Sequence, residues 1–269
     1  MTPPAVLVTD TVTKLGPEAE GAVLVCGSHG GVYAGHEAAI AGVRAVILHD
    51  AAVGLDAAGI GALAYLATLG IAAATVGHRS AVIGNGRSMA DHGVISFVND
   101  VAARLGCAPG QSAMDCARAM RAAERPAIAI PDHAEARFII RERAGEPAIR
   151  GCDSVSLVRA EDEGAIVVTA SHGELLAGSP SWGRRPDVLA AVFNDAGSTT
   201  VTRLPDLDTR EIAGATVSAA SARIGDARST WQTGVISHIN ERAKSLGATP
   251  GLTTRAFADL LIAATRQRQ

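Results

Sequence analysis

One segment of this chain is used twice, and that duplication constrains the fold more than any other property of the sequence. Ala22 to Gly35 reads AVLVCGSHGGVYAG and returns as Ala165 to Gly178, AIVVTASHGELLAG. Asp10 and Asp153, His29 and His172, and Gly35 and Gly178 are each 143 residues apart. Further along the spacing becomes 141: ATVGHRSAVIGNGRS at 74–88 is answered by ATVSAASARIGDARS at 215–229, and GVISFVN at 93–99 by GVISHIN at 234–240. A unit of roughly 120 residues used twice is an internal repeat. In a chain of 269 residues it predicts two similar lobes rather than one large domain. The expected division is a first repeat over 1–123, a connector over 124–150 and a second repeat over 151–269.

Each copy opens with short apolar runs bounded by turn residues, which read as strands at 5–9, 21–27, 44–48 and 71–76 in the first. A helix is expected from Asp56 to Leu69, ending at Gly70 where a positive φ is needed. A second helix is expected from Ser88 to Leu105, with Val94, Val98, Val101 and Leu105 as its buried stripe. Ser88 and Ser229 then stand as N-caps, the latter in the capping-box pattern Ser229-Thr-Trp-Gln232. Asn99 and Asn240 fall inside those helices, where asparagine needs a hydrogen-bonding reason. Matching terminal helices are expected at 111–123 and 252–265, and a hairpin around the AGEP turn between the copies. Alternating strands and helices imply parallel strands with right-handed crossovers. The predicted fold class is therefore α/β: two duplicated Rossmann-like three-layer lobes related by pseudo-two-fold symmetry.

Composition acts mainly by exclusion. With 48% hydrophobic and 19% charged residues the chain has ample material for a core, and the 3% of aromatics suits close helix-on-sheet layers. A net charge of −3 and a pI near 6.2 argue against nucleic acid as a partner, because phosphate binding wants a basic face. The apolar run 60–76 is broken by glycines and reads as helix then strand, so no membrane span is expected. MTPPAVLVTD lacks the basic and apolar regions of a secretory signal. Cys26, Cys107, Cys116 and Cys152 show no metal or disulfide spacing and read as free thiols of a reducing compartment. A cytoplasmic protein with a small-molecule partner is the expectation, with a homo-oligomer left open.

Ligands of parallel α/β sheets collect beyond the carboxyl ends of the strands. That edge gathers Ser28-His29-Gly30-Gly31, His49-Asp50 and Gly77-His78-Arg79-Ser80 from the first copy. From the second it gathers Ser171-His172-Gly173-Glu174, Asn194-Asp195 and Ser218-Ala219-Ala220-Ser221. The leading reading is acid-base catalysis by His29 and Asp50, with His172 and Asp195 as their counterparts. Ser28, Gly30, Gly31, Ser80, Ser171, Gly173 and Ser221 would contact substrate. The loops 83–87 and 224–228 precede helix N-termini, so Arg87 and Arg228 would hold an anionic group there. This describes an enzyme on a small anionic metabolite, a hydrolase first and a lyase or isomerase second, with its crevice between or atop the lobes. No cofactor is required. One alternative sets a divalent metal among His29, His49 and His78 in a metal-dependent hydrolase. Another is a binding or regulatory protein without catalysis.

The segment Val168-Thr-Ala-Ser171-His172-Gly173-Glu174 resembles the Ser-His-Gly-Glu segment that follows a strand in caspase-like cysteine peptidases. The resemblance implies a histidine poised beside a thiol nucleophile at the end of the next strand. There this chain carries Phe193-Asn194-Asp195-Ala196, without the Gln-Ala-Cys-Gly pattern that would supply the thiol.

Overall fold

A computed structural model describes residues 4–125, 129–177, 182–183 and 185–266. Gly178, which closes the second motif, lies outside them. The chain divides into two compact units, residues 1–53 with 57–134 and residues 54–56 with 135–269.

The first unit is built on strands β1 (Val6–Thr9), β2 (Val23–His29), β3 (Ala45–His49), β4 (Ala72–Val76) and β5 (Ile95–Val98). They lie in that spatial order, parallel except for the antiparallel pair β4–β5. Helices α1 (Val32–Ile40) and α2 (Gly61–Thr68) carry the chain from β2 to β3 and from β3 to β4. Right-handed crossovers that always step in one direction put their helices on one face. Helices α3 (Gly86–His92), α4 (Asp100–Arg104) and α5 (Ala113–Met120) follow β4.

Strand alternation divides the core accordingly. Leu24, Cys26, Val46, Leu48 and Ala73 pack with Ala34, Ala38, Ala62 and Leu66 of α1 and α2. Val23, Val25, Ile47 and Ala74, one step out of phase, pack with Met89, Ala102, Cys116 and Met120 of α3, α4 and α5. The small residues matter at the α1–α2 contact, where a Cβ on Gly35 would stand 2.8 Å from that of Ala62.

The second unit has six strands: β6 (Arg137–Arg141), β7 (Ile149–Cys152), β8 (Ile166–His172), β9 (Ala190–Asn194), β10 (Ala213–Val217) and β11 (Ile236–Ile239). Their order is β11-β10-β9-β8-β7-β6, with β7 to β10 parallel and both edge pairs antiparallel. Strand β7 is the counterpart of β1, and β6 adds a hairpin edge around the AGEP turn. Helices α6 (Arg203–Asp208), α7 (Ala227–Thr233), α8 (Glu241–Ser245) and α9 (Thr254–Arg266) complete the unit. Each unit is thus a mostly parallel sheet flanked by helices, the two-lobe Rossmann-like α/β organisation expected. The described residues between β8 and β9 form no helix, so α1 has no described counterpart.

Two local expectations are corrected. The stretch 88–105 is helix, strand and helix: Gly93 closes α3, and Ile95 to Val98 pair with β4 in the register Ala74↔Val98. The run Val94-Ile-Ser-Phe-Val98 is rich in β-branched and aromatic residues, and that preference outweighs the helical spacing of its valines. The caps are also one turn earlier than expected. The side chains of Asn85 and Asp226 accept from the Ser88 and Ser229 N–H groups at 2.8 and 3.0 Å. Ser88 and Ser229 instead accept from the Val82 and Arg223 N–H groups, each at 3.0 Å.

Asn99 and Asn240 are caps too, of α4 and α8. Each amide also ties a strand start to the cap. Asn99 accepts from Ala73 N–H and donates to the Ile71 carbonyl, and Asn240 repeats this with Gly214 and Ile212.

Candidate functional site

In the first unit the chain leaves β3 toward the α2 face and leaves β4 toward the α3 face. Where neighbouring strands send their loops to opposite faces, a crevice opens at their carboxyl ends. Asp50 follows β3 and His78 follows β4, and they meet there. Asp50 Oδ1 accepts from the His78 backbone N–H at 2.9 Å, from the Ala52 N–H at 3.0 Å, and lies 3.1 Å from His78 Nδ1. Asp50 is buried, while the His78 side chain keeps 27% of its surface exposed. A carboxylate on Nδ1 fixes the tautomer that leaves Nε2 as the basic atom.

His29 ends β2, directly beside His49 in the strand register. Its Nδ1 accepts from the Gly31 N–H at 3.1 Å, so a neutral ring carries its proton on Nε2. No hydrogen bond from a described residue reaches that Nε2. Burial, reinforced by the neighbouring His49 charge, lowers the His29 pKa to about 4. The ring is therefore neutral and a donor at pH 7. Asp50 is paired with His78 and makes no hydrogen bond to His29, so the expected His29–Asp50 pair is replaced by a His78–Asp50 pair.

His49 has a different task. Its Nε2 lies 3.1 Å from the Ala81 carbonyl, and its Nδ1 accepts from the Ala51 N–H at 3.1 Å. Asn194, its counterpart, makes the same two contacts, with the Ala222 carbonyl at 3.1 Å and the Ala196 N–H at 2.9 Å. With both ring nitrogens committed, His49 has none left for the metal set of His29, His49 and His78. Among the described residues no group of three His, Cys, Asp or Glu is arranged to hold a metal.

Most of the other candidates are engaged in hydrogen bonds within their own unit, and the second unit repeats those bonds. Ser28 and Ser171 accept from the Val12 and Val155 N–H groups. Ser80 and Ser221 donate to the Gly77 and Ser218 carbonyls and accept from the Val94 and Val235 N–H groups. Gly30 and Gly173 donate to the His49 and Asn194 carbonyls, and a Cβ on either would meet neighbours at 2.6 or 2.7 Å. These N–H groups are spent, as is that of Gly31.

The helix-start loops are also already filled. Asp10 accepts from the Gly86 N–H and Asp153 from the Ala227 N–H, each at 2.9 Å, so the chain supplies its own anion at α3 and α7. Arg87 is 90% exposed beside Asp91, and Arg228 stacks on Phe138, 3.9 Å from the ring centroid. In the second unit Asp195 holds the Ala219 N–H at 2.9 Å, but alanine stands where the first unit has His78. His172 is buried, with its Nδ1 accepting from the Glu174 N–H at 3.3 Å.

Two features lay outside the expectation. After Asp50 the backbone enters the left-handed region at Ala51, Ala52, Val53, Gly54, Asp56 and Ala57, with φ between 46° and 70°. Non-glycine residues reach it at a cost of ~1 kcal/mol or more each, and a β-branched valine is an outlier. Such strain clusters at functional sites. Gly59 lets the loop fold back, since a Cβ there would lie 2.2 Å from the Asp50 carbonyl oxygen.

The other feature is the Glu174–Arg203 pair, which replaces Gly31 and Ala62. Burial pushes the Glu174 carboxyl up, but hydrogen bonds from the Ser198, Thr200 and Thr202 hydroxyls and the Thr202 N–H outweigh it and hold its pKa low. Arg203, buried above Phe193, donates to the Glu174 carbonyl at 3.0 Å. The sequence signal was the Gly-to-Glu change directly after the shared Ser-His-Gly.

Comparison with protein-family models, curated proteins and solved structures finds no match. Fold and geometry define the class: a duplicated α/β protein whose first unit carries a histidine–aspartate pair at its strand ends. No helix among the described residues is long and apolar enough to cross a membrane.

Proposed function

We propose that the first unit is the catalytic half of an acid-base enzyme acting on a small carbonyl compound, by hydrolysis first and by isomerisation or elimination second. The observation that carries this reading is the Asp50–His78 contact at 3.1 Å beside the strained 51–57 turn, with alanine at the matching place in the second unit. His78 Nε2 is the base. It takes a proton from water as the hydroxyl oxygen adds to the carbonyl carbon, and Asp50 stabilises the imidazolium that forms. The imidazolium returns that proton to the leaving oxygen or nitrogen as the tetrahedral adduct collapses and the acyl bond breaks. His29, neutral at pH 7, donates its Nε2–H to the carbonyl oxygen as negative charge develops there. The ends of β2 and β4 flank β3 and lie roughly 10 Å apart, a span that a small substrate can bridge. Arg79, exposed and next to His78, supplies positive charge for an anionic substrate. No metal or cofactor is needed for these steps.

The test is a panel of small esters, lactams and cyclic imides assayed with the wild type, His78→Ala and Asp50→Asn. Loss of a base lowers kcat by ~10²- to 10⁴-fold, and His78→Ala should do so with KM nearly unchanged. Any turnover that survives His78→Ala undiminished removes the assignment. Binding of a panel member without turnover puts the reading as a binding or regulatory protein without catalysis in its place.

A further inference from the structure

The amino ends of the strands in the second unit border a cavity of about 380 Å³ that contains Gly164, Asp187, Leu189, Arg210, Glu211 and Arg266 in its lining. That volume is within the range of small-molecule sites. The first unit shows what normally fills this place. There Arg44 donates from Nε to the Gly21 carbonyl at 2.8 Å, and from its terminal nitrogen to the Ala123 and Arg121 carbonyls at 2.6 and 3.3 Å.

Backbone bonding makes the correspondence unambiguous. Arg44 N–H donates to the Ala22 carbonyl and Leu189 N–H to the Ala165 carbonyl, both at 2.9 Å. Gly21 N–H reaches the Gly42 carbonyl as Gly164 N–H reaches that of Asp187. Leu189 therefore stands where the first unit has its plugging guanidinium.

Two further replacements have the opposite sign. Asp187 replaces Gly42, and Glu211 replaces Gly70. Gly70 has φ 70°, as a residue after a helix end often must, and Glu211 is held in the same left-handed region at φ 54°. A glutamate there costs energy that glycine does not. Asp187 pairs with Arg210, and Arg266 with Glu146 at 2.6 Å, so the arginines of the lining are neutralised. Glu211 has no ionic partner among the described residues. At one place in the fold, then, the second unit lacks the half-buried arginine of the first, has a cavity, and carries an exposed carboxylate on left-handed backbone.

We infer that this cavity binds a small organic cation of guanidinium type, at the place that the Arg44 side chain takes in the first unit. Glu211 provides its counter-charge, and the planar fork of N–H donors selects it over an ammonium. The site lies at the sheet edge opposite the strand ends that carry His172 and Asp195, and it is independent of the proposed catalysis.

The experiment uses N-butylguanidinium as probe on the full chain, with butylammonium and butyrate as comparators, followed by chemical-shift changes and thermal melting. Butylguanidinium should bind and raise the Tm, with the other two at least tenfold weaker. Leu189→Arg, which restores the plug, should reduce binding at least tenfold without lowering the Tm. Glu211→Gly should weaken binding to the same degree while raising the Tm of the free protein. The inference is overturned if the wild type does not bind the probe, if butylammonium or butyrate binds as tightly, or if Glu211→Gly binds unchanged. Should Leu189→Arg fail to fold, the Glu211 variant decides alone.

Discussion

His49 and Asn194 satisfy the same two backbone groups, one with an imidazole and one with an amide, and only the imidazole can take up a proton. Burial, opposed in part by its bond to the Ala81 carbonyl, lowers the His49 pKa from 6.5 to about 4. The unfolded chain therefore binds a proton that the fold excludes. The stability held by the neutral ring is complete above pH 6.5 and is lost as the pH falls toward 4. For this fully buried ring the loss is on the order of 3 kcal/mol. His29, lowered similarly, adds to the trend in the same pH window. His49→Asn, the solution the second unit already uses, should leave the Tm at pH 7.5 nearly unchanged and raise it at pH 5. Melting curves between pH 4.5 and 7.5 check this, and an unchanged acid slope in the variant would remove the assignment. The recurrence of His29 and Asp50 as His172 and Asp195 was legible in the sequence. Which histidine the aspartate holds was not, because partner choice depends on where the β3 and β4 loops turn.

At the scale of elements, the caps carry measurable weight. Asn85→Ala or Asp226→Ala should each cost ~1 kcal/mol in denaturant unfolding. Asn85→Asp, which keeps a side-chain oxygen to accept from the Ser88 N–H, should retain most of that stability. Ser88→Ala removes a different bond, the one from Val82 N–H, and should act on the preceding loop rather than on the start of α3. A loss confined to Ser88→Ala, with Asn85→Ala silent, would reverse the two roles. Strands β2, β3 and β4, the helix before Gly70 and the AGEP hairpin were readable from apolar runs and turn residues. Strand β5 was not, because Val94, Val98 and Val101 recur at helical spacing while four residues are too few to show a strand's alternation. The β-branched run between Gly93 and the Asn99 cap decides for the strand.

Across the molecule, the duplication serves as an internal control on every residue. Groups that recur with equivalent partners, as Ser28 and Ser171 or Asp10 and Asp153 do, hold the same local geometry in both units. Groups that differ, as His78 and Ala219 or Arg44 and Leu189 do, are where the proposed catalytic and cation-binding roles are placed. The repeat itself was plain from the sequence, and so was the α/β layering. The filling of the α3 and α7 starts by Asp10 and Asp153 was not, because those aspartates lie more than seventy residues from the N–H groups they hold.

The near identity of GVISFVN and GVISHIN predicts a kinetic cost. Strand β5 meets β4 in the register Val76↔Ile95, and β11 meets β10 in the equivalent register Val217↔Ile236. During refolding either segment can therefore dock on the other's partner before the rest of its unit is in place, and chains that do so must back out or aggregate. Refolding yield after dilution from denaturant should fall as protein concentration rises. His238→Phe, which brings the two segments closer to identity, should lower that yield further at a fixed concentration. A yield independent of both would mean that each segment finds its own β4 or β10 first, through the short connection that precedes it.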